Sequence, residues 1–365
     1  MQKSIFCSPS RYTQGAGVTE ILGMEMQLLG LEGPVLIVAG RSAASHLMDI
    51  WKASLAQADY PYLIHHFGGE CTDSEISSVI AKGQEFGART VVGSGGGKVI
   101  DTARAAAADL AAHVVSCPSI ASSDAPCSAL SVLYKADGSY DRYRIYGRNP
   151  DLVLVDTKLI AQSPRRHLVA GMGDALATWF EAEACEKAGA LNARGGTALK
   201  TALSMARLCF DTLMKHGRSA CVSIEKNEVS KALEHVVEAN TLLSGLGFES
   251  GGLAAAHAIH NGLTKVPQTH SFMHGEKVAF GTISQLVMQQ ADDSLLQEVT
   301  RFCKDVGLPT TFAELGLREI SNEDLKAIAR GAVAPDETIH NMPFSVSEKM
   351  VIDSMKAASA LSYTS

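Results

Sequence analysis

The sequence lacks any long apolar run. No stretch of about 18 residues is apolar enough to span a bilayer, and the opening residues lack the apolar core of roughly 7–15 residues found in secretory signals. Basic residues form no cluster, and 32 Lys and Arg against 39 Asp and Glu give a net charge of −7. These absences argue against a membrane protein, a secreted protein and a nucleic-acid binder. We therefore expect a cytoplasmic protein.

Cysteine is present, but its spacing has no metal-binding or disulfide pattern. The eight cysteines are scattered, and no C-x-x-C pair occurs. This spacing argues against a disulfide scaffold and a cysteine-ligated zinc site, and it predicts reduced thiols. The chain has 365 residues, of which 46% are hydrophobic and 19% are charged. A globular protein of this length is expected to have two domains.

The first part of the chain alternates strand-like and helix-like segments. The Val/Ile/Leu-rich runs that predict buried parallel strands are 34–40, 62–67, 90–95, 113–118 and 152–156. Helical periodicity occurs between them, at 45–58, 73–87 and 101–112. Thr72 or Asp73 could cap the second of these helices, and Gly87 could end it. The alternation predicts an α/β, doubly wound domain with a mostly parallel sheet over residues 1–162.

The pattern changes after Ser163 and Pro164. The segments with helical periodicity are 165–186, 192–215, 226–247, 251–263, 274–290, 293–306 and 346–361. Almost no run in this part resembles a strand. We therefore predict an all-α domain over residues 163–365, and ligand sites favour the interface between two such domains.

A glycine-rich segment, GSGGGKVIDTARAAAA at 93–108, follows a predicted strand and opens a helix. It fits neither common nucleotide template, because the P-loop pattern fails at Val92 and Val99 and the Rossmann pattern has Lys98 at its third glycine. Its place at the carboxyl end of a parallel strand favours pyrophosphate binding. The alternative is a turn that only tightens the connection between strand and helix.

Three donor residues in the helical half form a candidate metal site. Asp174, His257 and His274 each lie among small or apolar neighbours in a predicted helix. Two imidazoles and one carboxylate suit Zn²⁺ or Fe²⁺ and leave a coordination position for a substrate oxygen. Each residue also has an ordinary explanation: a helix cap for Asp174, core packing for His257 and a helix-end contact for His274. His260 shares a helix face with His257 and could support a ligand or simply pack.

Six segments together resemble the glycerol dehydrogenase branch of the iron-containing alcohol dehydrogenase superfamily. They are 93–105, 118–134, 171–182, 248–264, 274–281 and 337–343. The resemblance implies the dehydroquinate synthase-like fold, a homo-oligomer that is often an octamer, and a metal that is usually zinc, with Fe²⁺ as an alternative. It also implies that Asp174, His257 and His274 bind this metal and that Asp124 contacts a hydroxyl of the substrate. The residues that it implies for NAD binding are Gly95, Gly96, Gly97, Lys98, Asp101, Ser119, Ser122, Ser128, Leu130 and Tyr134.

The resemblance implies a reaction as well. We expect reversible, NAD-dependent oxidation of glycerol to dihydroxyacetone, and of related 1,2-diols, with Asp124 and His257 as the catalytic candidates. The metal would act as a Lewis acid on the substrate hydroxyl. Three alternatives stay open: a dehydrogenase for another small alcohol or hydroxy acid, a dehydroquinate synthase-like lyase, and a non-catalytic sensor of metal and nucleotide.

One position departs from the relatives. They carry an acidic residue just after the first predicted strand, where it can bind the ribose 2′-hydroxyl of NAD, but this chain has Gly40 and Arg41. An arginine there could instead accommodate the 2′-phosphate of NADP. The alternative is that Arg41 is solvated or packs on the adenine, and we expect NAD to be preferred.

Overall fold

The computed structural model describes residues 3–361. Its strands are β1 (Tyr12–Gly15), β2 (Val35–Ala39), β3 (Tyr62–His66), β4 (Thr90–Gly95), β5 (His113–Pro118), β6 (Leu130–Tyr134), β7 (Tyr140–Ile145) and β8 (Leu152–Asp156). Six of them form one sheet in the order β1-β8-β5-β4-β2-β3, and each neighbouring pair is parallel. The prediction of an α/β fold with a parallel sheet is confirmed.

Helices cover both faces of this sheet. They are α1 (Leu22–Leu28), α2 (Arg41–Gln57), α3 (Asp73–Phe86), α4 (Gly97–Asp109) and α5 (Thr157–Ala161), with a 3-10 turn at Val18–Ile21. Ile37 and Val92 pack on one face in a cluster with Trp51 of α2. Val91 packs on the other face in a cluster with Val79 of α3. Burial on both faces explains why these strands are almost continuously hydrophobic.

The predicted boundaries of α3 are confirmed by its caps. The Thr72 side chain accepts a hydrogen bond from the backbone N–H of Glu75, 3.2 Å away, and Gly87 ends the helix with a left-handed φ of 69°. A left-handed residue is most easily supplied by glycine. Three strands were not predicted. β1 has only four residues, and β6 and β7 form a separate antiparallel hairpin whose second strand is largely exposed and polar.

The second half is helical. Its helices are α6 (Arg165–Ala188), α7 (Lys200–Glu225), α8 (Lys231–Glu238), α9 (Ser244–Gly251), α10 (Ala255–Leu263), α11 (His274–Met288), α12 (Asp293–Val306), α13 (Asn322–Ala332) and α14 (Glu348–Ser359). A π-helical turn, Ala239–Leu243, joins α8 to α9. Short 3-10 turns occur at Pro267–Thr269 and Thr338–Asn341.

Three helices, α7, α8 and α10, begin several residues later than predicted, and one helix was missed. α7 starts at residue 200 because the Asn192 side chain accepts hydrogen bonds from the backbone N–H groups of Arg194 and Gly196, which stabilise a turn. α8 starts after Ser230, whose side chain caps it by accepting from Leu233 N–H. The missed helix, α13, has a similar cap: Ser321 accepts from the N–H of Asp324.

The described chain divides into two compact units. One contains Ser8–Pro164 and Ser223–Leu242, so α8 and the π-helical turn group with the α/β sheet. The other contains the residues up to Cys7, Arg165–Val222 and the residues from Leu243 onward. The division into two domains between residues 162 and 163 stays a prediction. Among residues 3–361, no helix is long and apolar enough to cross a membrane.

Candidate functional site

A close contact between α6 and α11 brings two of the three predicted metal ligands together. A Cβ added to Gly173 would lie 2.3 Å from the carbonyl oxygen of Gly275, and one added to Gly275 would lie 1.8 Å from that of Ala170. No larger residue fits at either glycine without moving a helix. Gly173 immediately precedes Asp174, and Gly275 immediately follows His274. The two helices therefore touch at the point where the side chains of Asp174 and His274 emerge.

The three donor side chains converge. His274 Nε2 lies 3.0 Å and His257 Nε2 lies 3.3 Å from Asp174 Oδ1, and donor atoms of all three residues lie within 4.8 Å of one another. Asp174 is buried, whereas the His274 side chain is 41% exposed. Burial alone would raise the pKa of Asp174, but the His274 and His257 imidazoles hold it well below its usual range. The cluster is therefore anionic on its buried side and open at His274.

Glu181, which the sequence analysis did not single out, holds His257. Its Oε2 lies 2.6 Å from His257 Nδ1, and its Oε1 accepts hydrogen bonds from the backbone N–H groups of Ala254 and His257. Burial disfavours the charged imidazole, yet Glu181 and Asp174 raise the pKa of His257 well above its ordinary value. Glu181 thereby fixes both the imidazole ring and the start of α10, leaving Nε2 directed toward Asp174.

His274 is held in a different way. Its Nδ1 lies 3.1 Å from His260 Nε2, and His260 Nδ1 lies 3.0 Å from the side-chain oxygen of Asn261. Asn261 in turn donates through Nδ2 to Glu337 Oε2, 2.9 Å away. His260 shares a helix with His257 but forms its ring-to-ring hydrogen bond with His274.

The donor set fits a divalent ion. Zinc bonds to N and O ligands of about 2.0–2.2 Å place two tetrahedral ligand atoms about 3.3 Å apart, close to the separations measured from Asp174 Oδ1. The outer nitrogen of each imidazole already has a partner, as is usual for metal-binding histidines. Two histidines and one carboxylate leave a tetrahedral ion one further position.

The glycine-rich segment connects β4 to α4 in the α/β unit. Gly93 and Gly95 serve packing, because an added Cβ would lie 2.7 Å from Ala103 Cβ or 2.6 Å from Val99 Cγ2. Gly96 and Gly97 stand at the N-terminus of α4, where the first backbone N–H groups have no partner within the helix. Packing therefore explains Gly93 and Gly95, whereas pyrophosphate binding at Gly96 and Gly97 stays a prediction.

Two predicted coenzyme residues already have partners in the described chain. Lys98 Nζ donates to Glu70 Oε2, 2.6 Å away, and lies 4.7 Å from the centre of the Tyr134 ring. The Asp101 carboxylate is buried and accepts from Arg104 Nη1 at 2.8 Å and from the N–H of Val132 at 3.1 Å.

Arg104 is a second residue that the sequence analysis did not single out. It is 2% exposed and donates to the carbonyl oxygens of Ala125 and Leu130 as well as to Asp101. Burial raises the pKa of Asp101 to about 6, although Arg104 acts in the opposite direction. The pair ties α4 to residues 125–132, the segment that follows Asp124.

The remaining predicted residues of this unit lie in or beside that segment. Ser119 donates its backbone N–H to Gly95 O, 3.0 Å away, and Asn240 of the π-helical turn donates to Ala121 O at 2.9 Å. Ser122 and Asp124 are half-buried. Ser128 is buried and its hydroxyl donates to Ala125 O at 3.3 Å. Hydrogen bonds from three elements therefore order the loop that carries Asp124.

Gly40 and Arg41, the residues that differ from the relatives, also lie beside the glycine-rich segment. Gly40 N–H donates to Ser94 O at 2.9 Å, and a Cβ on Gly40 would lie 3.6 Å from Gly95 Cα. Arg41 is exposed and begins α2, whose first turn contains no acidic residue. Arg41 therefore follows the carboxyl end of β2, the strand beside β4, at the edge where parallel sheets bind ligands.

Comparison with known proteins identifies the family. The family model described as iron-containing alcohol dehydrogenase matches residues 9–157. The glycerol dehydrogenase of Thermotoga maritima is 50% identical over 350 residues, covering 96% of this chain and 95% of the relative. The chain belongs to this family. Its similarity to the glycerol dehydrogenases extends over both compact units, beyond the part that the family model covers.

Two further relatives extend the comparison. The glycolaldehyde reductase of Halobacterium salinarum is 43% identical over 355 residues, covering 97% of each chain. The crystal structure of glycerol dehydrogenase from Schizosaccharomyces pombe has a TM-score of 0.94 and 36% identity, covering 99% of this chain and 91% of that one. The predicted superfamily and its glycerol branch are confirmed, and so is the fold class.

Several histidines outside the three-donor cluster also have partners in the described chain. His270 Nε2 lies 2.9 Å from the Thr264 carbonyl oxygen, and His340 Nε2 lies 3.0 Å from that of Ala334. The Asn341 side chain donates to Leu253 O. His65 is buried against Glu75, with its Nε2 2.9 Å from Oε1. All eight cysteines lie within the described chain, and each is a free thiol.

Proposed function

We propose that this protein is a metal-dependent glycerol dehydrogenase that uses NAD. It oxidises glycerol at the secondary hydroxyl to dihydroxyacetone and catalyses the reverse reduction. The carbinol carbon gives a hydride to NAD⁺ and the hydroxyl gives up one proton, so each turnover yields NADH and H⁺. The observation that carries this proposal is the convergence of Asp174, His257 and His274 in a chain 50% identical to a glycerol dehydrogenase.

The helical unit would hold the metal, which we propose to be Zn²⁺, with Fe²⁺ as the alternative. When bound, the ion supplies Lewis acidity toward the substrate hydroxyl. Asp174 offsets its charge from the buried side, and Glu181 keeps Nε2 of His257 available by occupying Nδ1. The exposure of His274 leaves the substrate a route to this cluster.

The α/β unit would hold the coenzyme. NAD supplies the hydride acceptor, and the N-terminus of α4 at Gly96 and Gly97 offers backbone N–H groups to its pyrophosphate. We propose that Asp124 binds a hydroxyl of the polyol and that Asp101 acts through Arg104 by ordering the loop. The proposed coenzyme residues remain Gly95, Gly96, Gly97, Lys98, Asp101, Ser119, Ser122, Ser128, Leu130 and Tyr134.

Assembly and compartment belong to the same proposal. We propose a cytoplasmic homo-oligomer, with an octamer as the first assembly to test. Seven of the eight free cysteines are buried, which supports a compartment in which thiols stay reduced. Light scattering of the purified protein would measure the assembly directly.

The central experiment follows NADH absorbance with glycerol before and after treatment with a chelator. Chelation should remove nearly all activity, because the three donors alone cannot polarise the hydroxyl, and Zn²⁺ or Fe²⁺ should restore it. Mass spectrometry should verify that the treated protein contains no metal. Undiminished activity in metal-free protein would refute the metal role, and no turnover of glycerol or 1,2-propanediol would refute the substrate class.

A second candidate reaction is reduction of a small hydroxyaldehyde. It is favoured by the 43% identity to the Halobacterium salinarum glycolaldehyde reductase. The two reactions share one type of chemistry and differ only in substrate and direction. Comparing kcat/KM for glycerol with NAD and for glycolaldehyde with NADH would rank them.

Arg41 offers a test of coenzyme preference. Arg41 stands beside the glycine-rich segment and has no acidic neighbour in its helical turn. Arg41→Ala should therefore weaken NADPH binding roughly tenfold, because one charge-assisted contact to the 2′-phosphate is lost. It should weaken NADH binding by about twofold at most. Fluorescence titration of each reduced coenzyme would measure this. Lys52→Ala removes the same charge from an exposed position farther along α2 and should change neither affinity. Equal losses for both coenzymes in Arg41→Ala would rule out 2′-phosphate recognition.

A further inference from the structure

The two histidines of the candidate metal site are linked to carboxylates by unequal routes. His257 contacts Glu181 directly. His274 reaches Glu337 only through His260 and Asn261, in three successive hydrogen bonds of 3.1, 3.0 and 2.9 Å. The second route joins the neighbouring helices α10 and α11 to Glu337, which lies 76 residues beyond Asn261.

The carboxylate sets the direction of this chain of hydrogen bonds. A carboxylate only accepts, so the amide nitrogen of Asn261 must face Glu337, and the amide oxygen must face His260. An amide oxygen also only accepts. Nδ1 of His260 must therefore carry a proton.

The same reasoning assigns the proton between His260 and His274. His260 Nε2 and His274 Nδ1 are 3.1 Å apart and share one proton. Because His260 already donates through Nδ1 to Asn261, its neutral ring presents Nε2 to His274 as an acceptor. The proton therefore belongs to Nδ1 of His274. With a metal ion bound, the lone pair of His274 would then be on Nε2, which faces Asp174.

We propose that His260, Asn261 and Glu337 are positioning residues that fix the tautomer and ring orientation of His274 for metal binding. The inference rests on the proposed metal-dependent function. It gives the ETIHNMP segment at 337–343 a chemical role at its first residue. His274 needs such support more than His257 does, because its side chain is 41% exposed against 13% and is less constrained by packing.

The test uses Co²⁺ as a spectroscopic probe, because its visible absorption bands report ligand geometry. Asn261→Leu removes two of the three hydrogen bonds in this relay, those to His260 and Glu337. It should weaken Co²⁺ binding, measured by chelator competition, roughly 10–100-fold, and it should shift the visible bands. Asn341→Leu is the matched control, since Asn341 is half-buried in the same motif but donates only to a backbone carbonyl. It should leave both readouts unchanged.

Glu337 provides an independent pair of variants. Glu337→Gln can still accept from Asn261 and should stay within about threefold of the wild-type Co²⁺ affinity, whereas Glu337→Leu should resemble Asn261→Leu. This pair decides the matter if Asn261→Leu does not fold.

Each other outcome has a definite meaning. Wild-type affinity and spectrum in both leucine variants would overturn the relay while leaving the metal site intact. Equal losses in Asn341→Leu would overturn it too, because general ordering of the segment would then explain the effect. Wild-type protein that binds no Co²⁺ would overturn the metal part of the proposed function, and the relay with it.

Discussion

Asp174→Asn should lower the turnover of glycerol roughly 10³-fold, since a catalytic metal supplies several kcal/mol and each 1.36 kcal/mol is a factor of about ten. The carboxylate is the only anionic member of the three-donor cluster, and it is buried where no solvent can replace its charge. Steady-state kinetics together with metal content by mass spectrometry would measure both consequences. Metal content should fall in parallel with turnover.

The substitution is nearly isosteric, so its effect can be separated from unfolding. Asparagine can still accept from the neighbouring imidazoles, and the melting temperature should change little. Asp211→Asn provides a matched control, because Asp211 loses the same charge from an exposed ion pair with Arg207 on α7. It should keep turnover within about twofold. A fully active Asp174→Asn protein that retains its metal would contradict the proposed donor set.

Much of the sheet could be predicted because the burial of each strand is visible in the hydrophobicity of its own residues. A strand buried on both faces is apolar at nearly every position, as β2 shows throughout and β8 shows up to Asp156. β1 could not be found in this way. It is a four-residue edge strand, YTQG, whose side chains are only partly buried, so it carries no hydrophobic signal.

The residues that support the candidate site also show which contacts a local sequence pattern can and cannot predict. Glu181 lies seven residues after Asp174 on α6, which places both on one helix face. That spacing was readable in the sequence. The contact between Asn261 and Glu337 spans 76 residues and follows from how the helices pack. No local pattern could reveal it.

Arg104→Met should destabilise the protein by about 3–5 kcal/mol, the usual cost of removing one partner from a buried ion pair. Both members of the pair are nearly inaccessible, with side-chain exposures of 2% for Arg104 and 7% for Asp101. The variant also frees the carbonyl groups of Ala125 and Leu130. Urea unfolding should show the loss of stability, and titration with NADH should show weaker binding as the loop after Asp124 loosens.

The stability that Arg104→Met loses should depend on pH, and the pKa of Asp101 determines the direction. The pKa of Asp101 is already about 6 beside Arg104, and it should rise further without the guanidinium. A folded-state pKa above the unfolded one means that the folded protein binds the proton more tightly, so stability falls as pH rises through the folded value. Arg104→Met should therefore lose more stability at pH 8 than at pH 5.5. Adding Asp101→Asn removes the charge but keeps an acceptor for Val132 N–H, and should recover most of the loss and abolish its pH dependence. A double variant no more stable than Arg104→Met would show that packing of the arginine, not compensation of a buried charge, is what stabilises this part of the fold.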